Sequence, residues 1–479
     1  MNRPLSNWSK DLAYSILAIV ILSLAIYKAY FCAFTHDESL SYLDYVIGRN
    51  SWEIMTFARG ATANNHPLNS LLMKLCYSLF GSAELSLRLP NLLAGGLFAY
   101  ALWRLLKALP QLSFSLFLFA GILVLGQAYF NDFFGLARGY GLSYGFFLLA
   151  FTQLFLIKPR AKSLAWAVFF ACLSVYANFS QLIPLLALLG SYSLYHLLFS
   201  QLNKKEIGQQ LAVIGLGLLG LIVFIGQPLK GLIKRKELYF GGEKGLIQDT
   251  IGSLAKRQLS GIGLEEYSYL LSYSYPLLLL AGLIFLALKR KENSPIYRLI
   301  FMSTLLLSLM SIGHILAHEL FEVRFLIDRT ALIYLPFIQL LSFGLFAALS
   351  QKWRIHIYLA SGLFMLQLYN FSQSWQAHVF QEWTYDQDNK KVLAEVYRLV
   401  QKDQRHYSIA TYWLHHPSFQ YYMQRGIYPG ISLIAYPTQF EANAQFDFYY
   451  MYAPYGYGAL EENYQPYLDF TEGHLFRHR

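Results

Sequence analysis

Apolar segments of membrane-spanning length recur along almost the whole chain, and they constrain its fold more than any other feature. A spanning helix needs roughly twenty mostly apolar residues to cross a hydrocarbon core about 30 Å thick. Eleven such segments cover residues 12–31, 90–107, 112–129, 140–157, 163–180, 182–199, 208–226, 268–288, 298–317, 330–349 and 355–371. We therefore predict an all-α polytopic membrane protein with about eleven transmembrane helices, although the pair near Ser180 could form one broken helix.

The composition excludes several other classes of protein. Hydrophobic residues make up 56% of the 479 residues and charged residues 14%, a balance that suits a bilayer better than water. The net charge of +10 is spread over short connections without an aromatic platform for bases, so we expect no nucleic-acid partner. No Gly-rich phosphate loop follows a strand, which argues against a nucleotide-sugar donor. Cys32, Cys76 and Cys172 lack paired spacing and are interpreted as free thiols.

Lys and Arg residues concentrate in the connections that are cytoplasmic if the N-terminus is cytoplasmic. Short inner loops of membrane proteins carry an excess of these cations. The inner set comprises Arg104, Lys107, Lys158, Arg160, Lys162, Lys204, Lys205, Lys289, Arg290, Lys291, Arg298, Lys352 and Arg354. An odd number of spans then places the C-terminal tail on the outer side.

Three outer segments are long, and they define the expected domain organisation. Residues 35–89 form the first outer loop, 227–267 a basic loop, and 372–479 a Tyr-rich tail that has no spanning segment. We predict a transmembrane module over residues 1–371 and a small mixed α/β extracytoplasmic domain over residues 372–479.

Two adjacent carboxylates, Asp37 and Glu38, follow the first span directly. Ionised groups at a membrane boundary are costly to desolvate, which favours a functional role. The alternative is structural, because a carboxylate in the first turn caps a helix N-terminus favourably.

The same loop continues through a polar turn at residues 63–69 into an amphipathic stretch, residues 70–80, and then residues 81–91. Apolar residues recur there at helical spacing, as in helices that lie in the plane of the membrane interface. Glu84 and Arg88 are four residues apart, and we expect a local ion pair between them.

This loop resembles that of the protein O-mannosyltransferase and aminoarabinose-transferase group of GT-C glycosyltransferases. The resemblance in span pattern runs to about residue 371 and does not include the tail. The matching residues are Asp37-Glu38, Asn65-His66-Pro67-Leu68, Gly81, Glu84 and Arg88-Leu89-Pro90.

The resemblance implies a GT-C fold, with Asp37 as the base or acceptor-orienting group and Glu38 as its neighbour in the motif. An acceptor hydroxyl or amine must lose a proton as it attacks the anomeric carbon, and a carboxylate can take that proton. Many family members have Lys-Pro-Pro-Leu or His-Pro-Pro-Leu where this chain has Asn65-His66-Pro67-Leu68, so Asn65 supplies no charge. His66 is either a polar pocket residue or a satisfied turn residue.

A second carboxylate and an arginine, Asp132 and Arg138, lie in the next outer segment. The run Ala137-Arg138-Gly139-Tyr140 resembles an Ala-Arg-x-Tyr segment of the family. The resemblance implies that Arg138 and Tyr140 contact substrate while Asp132 positions the acceptor or a metal. The structural alternative is that Arg138 anchors Asp132.

A lipid-phosphate donor presents its phosphate at the interface, where cations must meet it. The segment 325–330 resembles the family's Arg-bearing element before a late span, which makes Arg329 the first candidate phosphate ligand and Arg324 the second. A pair with Asp328, or ordinary charge flanking a span, is the structural alternative for either arginine.

The basic outer loop supplies further cations at Lys230, Lys234, Arg235, Lys236, Lys244, Lys256 and Arg257. Lys234 and Arg235 are candidate substrate-binding residues. The loop is interpreted either as a surface for anionic lipid headgroups or as a mobile lid over a lipid-linked donor.

Together these features predict a glycosyltransferase of the bacterial inner membrane, whose active site and C-terminus face the periplasm. The expected donor is a sugar linked to polyprenyl phosphate, such as undecaprenyl phosphate. The acceptor is a lipid, glycan or protein. We expect an inverting displacement, with Asp37 and the arginines lining one outward cavity. No cofactor is required, although a divalent cation is compatible with Asp37 and Asp132. The alternatives are an oligosaccharide polymerase or ligase, a transporter or flippase, and a non-catalytic subunit.

Overall fold

The computed structural model describes residues 7–60, 62–156, 161–200, 203–289, 292, 294–350, 356–434, 446–453 and 463–479. Some of the cations used to predict orientation lie outside these residues: Lys158, Arg160, Arg290, Lys291, Lys352 and Arg354.

The described chain is mostly helical. The helices before residue 160 are α1 (Asn7–Phe31), α2 (His36–Leu40), α3 (Ser51–Thr56), α4 (Pro67–Phe80), α5 (Glu84–Lys107), α6 (Phe114–Leu125), α7 (Ala128–Asp132) and α8 (Gly139–Leu156). Those that follow are α9 (Ala161–Ala177), α10 (Leu182–Phe199), α11 (Lys204–Lys234), α12 (Gly252–Leu259), α13 (Ser268–Leu288), α14 (Pro295–Phe321), α15 (Asp328–Ala331), α16 (Tyr334–Ser350), α17 (His356–Ser374), α18 (Asn389–Asp403) and α19 (His416–Gln424).

Each of the eleven apolar segments predicted from the sequence overlaps one of these helices over most of its length. Within the described residues, seven helical stretches are long and apolar enough to cross a membrane: Trp8–Phe31, Glu84–Lys107, Gly139–Leu156, Phe179–Phe199, Lys204–Lys234, Glu265–Leu288 and Pro295–Phe321. Shorter apolar helices occupy Phe114–Leu125, Ala161–Ala177 and Tyr334–Leu349. The prediction of an all-α polytopic membrane module is confirmed, while the count of eleven spans and their orientation stay predictions.

The two apolar segments near Ser180 form separate helices. Helix α9 ends at Ala177, and the Asn178 side chain then accepts a hydrogen bond from the Ser180 N–H. A single 3₁₀ turn, Phe179–Gln181, leads into α10. The chain breaks here because Asn178 competes for backbone donors that a continuous helix would use.

Contacts within the chain divide it into two compact units. The first, which we call the helical unit, contains residues 1–26, 55–69 and 90–375. The second, which we call the loop-and-sheet unit, contains residues 27–54, 70–89 and 376–479. The tail thus forms one unit with parts of the first outer loop, and the domain bounds predicted from the sequence stay predictions.

The tail forms the small mixed α/β domain that the sequence predicted. Its strands are β1 (Tyr407–Thr411), β2 (Ile431–Leu433), β3 (Phe448–Tyr452), β4 (Tyr464–Asp469) and β5 (Gly473–His478). The sheet order is β2-β1-β3-β5-β4, with β1 parallel to β2 and β3, and β5 antiparallel to β3 and β4. Aromatic residues of β3, β4 and β5 pack with Ala410 and Phe446 in a buried core.

The first outer loop is largely helical, as its amphipathic pattern predicted. A π-helical segment, Ser41–Ile47, follows α2, and the amphipathic stretch forms α4. Pro67 opens α4, where its missing N–H costs nothing. Gly81 has a φ of +78° directly after α4, a conformation that glycine adopts without strain.

The basic loop also contains helix. Helix α11 continues through Pro228 to Lys234, beyond the apolar segment that predicts it. A π-helical segment, Leu246–Ile251, and α12 follow. Lys230 and Lys234 therefore belong to a helix, and the mobility of this loop stays a prediction.

Candidate active site

The two acidic residues of the first loop have different surroundings within the loop-and-sheet unit. Glu38 is fully buried, and its two carboxylate oxygens accept hydrogen bonds from Nε and Nη2 of buried Arg88 at 2.8 and 2.6 Å. A buried ion pair is stable only when its geometry is good and its remaining donors are satisfied. Asp37 lies beside it in the first turn of α2 and is half-buried.

Arg88 also organises the chain that leaves α1. Its Nη1 donates to the carbonyl oxygens of Ala29 and Cys32, both at 3.0 Å, and its Nη2 donates to that of Ala33 at 2.8 Å. One guanidinium thus binds the end of α1, the connection to α2 and Glu38. The sequence motif did not predict that Arg88 would bind all three of these groups.

Glu38 also serves in the N-terminal cap of α2. Thr35 is the N-cap, its hydroxyl accepts from the Glu38 N–H, and Glu38 Oε2 accepts from the Thr35 N–H at 2.9 Å. This reciprocal pair is a capping box, which satisfies donors that the helix itself cannot satisfy. The structural alternative considered for the acidic pair therefore applies to Glu38.

The expected ion pair between Glu84 and Arg88 is wrong. Glu84 pairs with Lys390 at 2.9 Å and with Arg425 at 2.5 Å, while Arg88 pairs with Glu38. Spacing along α5 permits the local pair, but Glu38 offers Arg88 a bidentate partner. The tail then supplies two cations for Glu84 from residues far away in sequence.

In the helical unit, the structure brings together two sequence segments that carry predicted substrate ligands. Arg138 is buried, and its Nη1 donates to the backbone carbonyl and side-chain oxygen of Asn64 at 3.1 and 2.6 Å. The buried Asn69 amide donates to the carbonyl of Ala137 at 3.0 Å. Asn65, which is also buried, lies between these two contacts in sequence.

His66 packs directly against the beginning of α8. Its ring lies 5.1 Å from the ring of Tyr140, and its Nδ1 is 3.1 Å from the carbonyl oxygen of Ala177. Gly139 makes this approach possible, since a Cβ there would lie 2.0 Å from that carbonyl oxygen and 2.7 Å from His66 Cβ. This Nδ1 contact fits the turn-residue interpretation of His66. Asp132 is buried at the end of α7.

The second set of cations surrounds residues 324–329 of the helical unit. The Arg329 guanidinium lies 4.5 Å from the centre of the Phe240 ring. The backbone carbonyl of Arg329 accepts a hydrogen bond from the Tyr144 hydroxyl at 2.6 Å. Arg324 pairs with Glu243 at 2.7 Å. Asp328 pairs with Arg257 at 3.0 Å, so its partner comes from the basic loop.

A short backbone pairing fixes the basic loop against this segment. Gly242 and Phe325 exchange two backbone hydrogen bonds of 2.9 Å. Gly241 has a φ of +151°, and a Cβ there would lie 2.6 Å from the Cβ of Arg324. Gly241 is therefore needed for close approach of the two backbones.

Lys234 and Arg235 are exposed at the C-terminal end of α11. Nearby in sequence are two large exposed apolar side chains, Ile233 and Tyr239, which are 60% and 67% exposed. Cations mixed with aromatic and aliphatic side chains are typical of residues at the depth of lipid headgroups.

An apolar cavity of about 410 Å³ lies beside the pairing of Gly242 with Phe325. It is lined mainly by Leu246, Ile247, Tyr275, Leu279, Ile315 and Phe325. Its walls suit an aliphatic chain better than a sugar.

The described residues contain no group of three or more His, Cys, Asp or Glu side chains that could hold a metal ion.

Comparison with solved structures shows that the chain has the fold of ArnT, in agreement with the predicted fold class. The crystal structure of ArnT from Cupriavidus metallidurans bound to undecaprenyl phosphate has a TM-score of 0.56, with 10% sequence identity over 98% of each chain. The apo state of that protein has a TM-score of 0.55 and 9% identity, over 97% of this chain and 98% of that one. No family model matches the sequence. No curated protein matches it either.

The oligosaccharyltransferase of Archaeoglobus fulgidus in its apo form is a more distant match. Its TM-score is 0.46 with 13% identity, over 91% of this chain and 66% of that chain. At 10% and 9% sequence identity, the likeness to the two ArnT structures shows the fold alone.

Proposed function

We propose that this chain is a membrane glycosyltransferase that transfers a sugar from a polyprenyl-phosphate carrier to an extracytoplasmic acceptor. The observation that carries the proposal is the acidic turn of α2. There Glu38 forms an ion pair with Arg88 and takes part in the helix cap, while Asp37 is half-buried in the same turn. The ArnT fold supports the donor class, because a crystal structure of ArnT holds undecaprenyl phosphate.

In the proposed reaction, Asp37 accepts the proton of an acceptor hydroxyl or amine as that group attacks the anomeric carbon. The bond between the anomeric carbon and the phosphate oxygen breaks, the configuration inverts, and polyprenyl phosphate leaves. A phosphate is a weakly basic leaving group, so no strong general acid is needed. We assign Glu38 the task of fixing α2 rather than of moving a proton.

The proposed donor ligands are in the helical unit. Arg329 and Arg138 neutralise the phosphate, with Arg324 as a further cation, and His66, Asn65, Tyr140 and Asp132 complete the polar lining. Lys234 and Arg235 attract the anionic donor at the interface. The apolar cavity beside Phe325 accepts part of the polyprenyl chain.

The test is sugar transfer by the full-length protein in nanodiscs, with undecaprenyl-phosphate sugars as donors, in the presence and absence of EDTA. We expect Asp37→Asn to lower turnover on the order of 10²- to 10⁴-fold, the usual contribution of a general base. Asp44→Asn is the matched control, because Asp44 is an exposed carboxylate of the same loop. Unchanged turnover in Asp37→Asn would refute the base assignment, and wild-type protein inactive with every donor would favour a non-catalytic subunit or a transporter.

A further inference from the structure

The connection between α1 and α2 is held by side chains of the C-terminal domain. The Tyr422 hydroxyl accepts the Phe34 N–H, and the Ser418 hydroxyl donates to the Phe34 carbonyl, both at 2.8 Å. The Phe34 ring stacks on Tyr421 with a centroid distance of 4.3 Å. Both backbone polar groups of Phe34 are therefore satisfied by α19, from residues 388 and 384 positions away in sequence.

The next contact reaches α2 itself. Asp386 is buried, and its Oδ2 accepts the His36 N–H at 2.7 Å. Its Oδ1 accepts from the Asn389 amide at 2.8 Å, and Asn389 Oδ1 is 3.0 Å from Nδ1 of buried His415. These hydrogen bonds form a buried chain from the interior of the C-terminal domain to the first residue of α2.

The position of His36 explains why this hydrogen bond matters. The first N–H groups of a helix have no partner within the helix, and a negative charge near them is favourable. Thr35 satisfies the Glu38 N–H, and Asp386 satisfies the His36 N–H. The His36 ring is also held, since its Nδ1 lies 2.8 Å from the carbonyl oxygen of Leu414. Asp37 directly follows His36, whose backbone N–H and ring are both held by these contacts.

The electrostatic surroundings of Asp386 are unusual. Burial raises its pKa well above the ordinary value, and the negative charges of Asp37 and Glu38 raise it further, while the hydrogen bonds from His36 and Asn389 oppose these effects. Tyr450 on β3 also interacts electrostatically with Asp386. Burial also lowers the pKa of His415 to about 3, so that ring is neutral near pH 7.

We propose that Asp386 is a positioning residue, which fixes the first turn of α2 through the His36 N–H and thereby sets the direction of the Asp37 carboxylate. This inference rests on the proposed role of Asp37. It gives the C-terminal domain a part in the reaction that no sequence pattern assigned to it.

Two substitutions at this position separate the hydrogen bond from the charge. Asp386→Ala removes both acceptors, and we expect kcat to fall on the order of 10²-fold with the donor KM nearly unchanged, the effect of a small misplacement of a reacting group. Asp386→Asn keeps an acceptor for the His36 N–H, because Asn389 and neutral His415 can reverse the direction of their hydrogen bonds. We expect it to retain kcat within a few-fold of wild type.

Asp447→Ala is the matched control. Asp447 also accepts a backbone N–H, that of Ser408 at 2.8 Å. This hydrogen bond lies near the beginning of β1, whereas Leu414, whose carbonyl oxygen contacts the His36 ring, follows the end of that strand. A purely structural effect of disturbing the sheet would lower kcat in Asp447→Ala as well. Equal losses in the two alanine variants, or a normal kcat in Asp386→Ala, would overturn the proposal.

Hydrogen exchange of residues 34–40 gives a second measurement that needs no enzymatic activity. We expect the protection of this segment to fall in Asp386→Ala and to persist in Asp386→Asn and Asp447→Ala. Unchanged protection in Asp386→Ala would overturn the positioning role even if the enzyme is active. Lost protection in a protein that is inactive with every donor would instead show that the proposed function fails while Asp386 still orders α2.

Discussion

The ion pair of Glu38 with Arg88 in the loop-and-sheet unit contrasts with the outer cations at residues 234–235 and 324–329 of the helical unit. In the loop-and-sheet unit, Glu38 and Arg88 are fully buried, and every side-chain nitrogen of Arg88 donates to a defined oxygen. In the helical unit, Arg324 and Arg329 are half-buried, and Lys234 and Arg235 are exposed. The first arrangement fixes geometry at the cost of desolvation, while the second keeps its cations partly or fully exposed to solvent. We infer that the two sets serve orientation and charge neutralisation respectively.

Removal of Arg88 should have the largest effect, because it leaves Glu38 buried without a counter-charge. We expect Arg88→Ala to lower the free energy of unfolding by about 3–5 kcal/mol, which thermal unfolding in detergent would measure. Replacing both partners, as in Glu38→Gln with Arg88→Met, should cost less than the sum of the single changes. Arg398→Ala is the control, since Arg398 forms an exposed pair with Glu395 and its loss should hardly change stability. A small effect of Arg88→Ala would remove the contrast between the two regions.

Arg329→Ala should have an intermediate effect, and on substrate binding rather than on folding. A charge-assisted hydrogen bond is worth roughly 1.5–3 kcal/mol, so we expect the donor KM to rise about tenfold or more with unfolding unchanged. Lys256→Ala, which removes another cation of the same unit, should leave the donor KM near the wild-type value. If Arg329→Ala unfolds the protein instead, this arginine belongs with the buried, structural group.

The smallest effect should come from the exposed cations at the end of α11. We expect the double variant Lys234→Ala, Arg235→Ala to raise the donor KM only a few-fold, because each exposed cation near an anionic surface contributes on the order of 1 kcal/mol or less. High salt should abolish the difference, since it screens exposed charges. Donor titrations at low and high ionic strength would test this, and a salt-independent loss would show that the two cations contact the donor directly.

The parts of the fold that depend on local sequence were predictable. Each apolar segment overlaps a helix over most of its length because spanning length and apolar character are local properties, and the mixed sheet of the tail follows from alternating aromatic stretches. The extension of α11 through Pro228 was not predicted, since polar residues there end the apolar pattern without ending the helix.

The acidic motif was also found from sequence, but its partners were not. Spacing suggested a pair between Glu84 and Arg88, whereas Glu84 pairs with Arg425, a residue 341 positions away. Asp386 lies 350 positions from His36, and no pattern within either segment connects them. A single sequence records which residues can ionise, but the choice between competing partners depends on tertiary packing.

The separation of Asp386 from His36 has a consequence for biogenesis. The ribosome produces the α2 segment early and its buried acceptor about 350 residues later, which at roughly 5–20 residues per second is an interval of about 20–70 s. Until then the nascent acidic turn has no C-terminal domain to dock against. Under the proposed function, the acidic turn would therefore be positioned only after Asp386 has been synthesised, and a chain terminated before that residue would lack this contact.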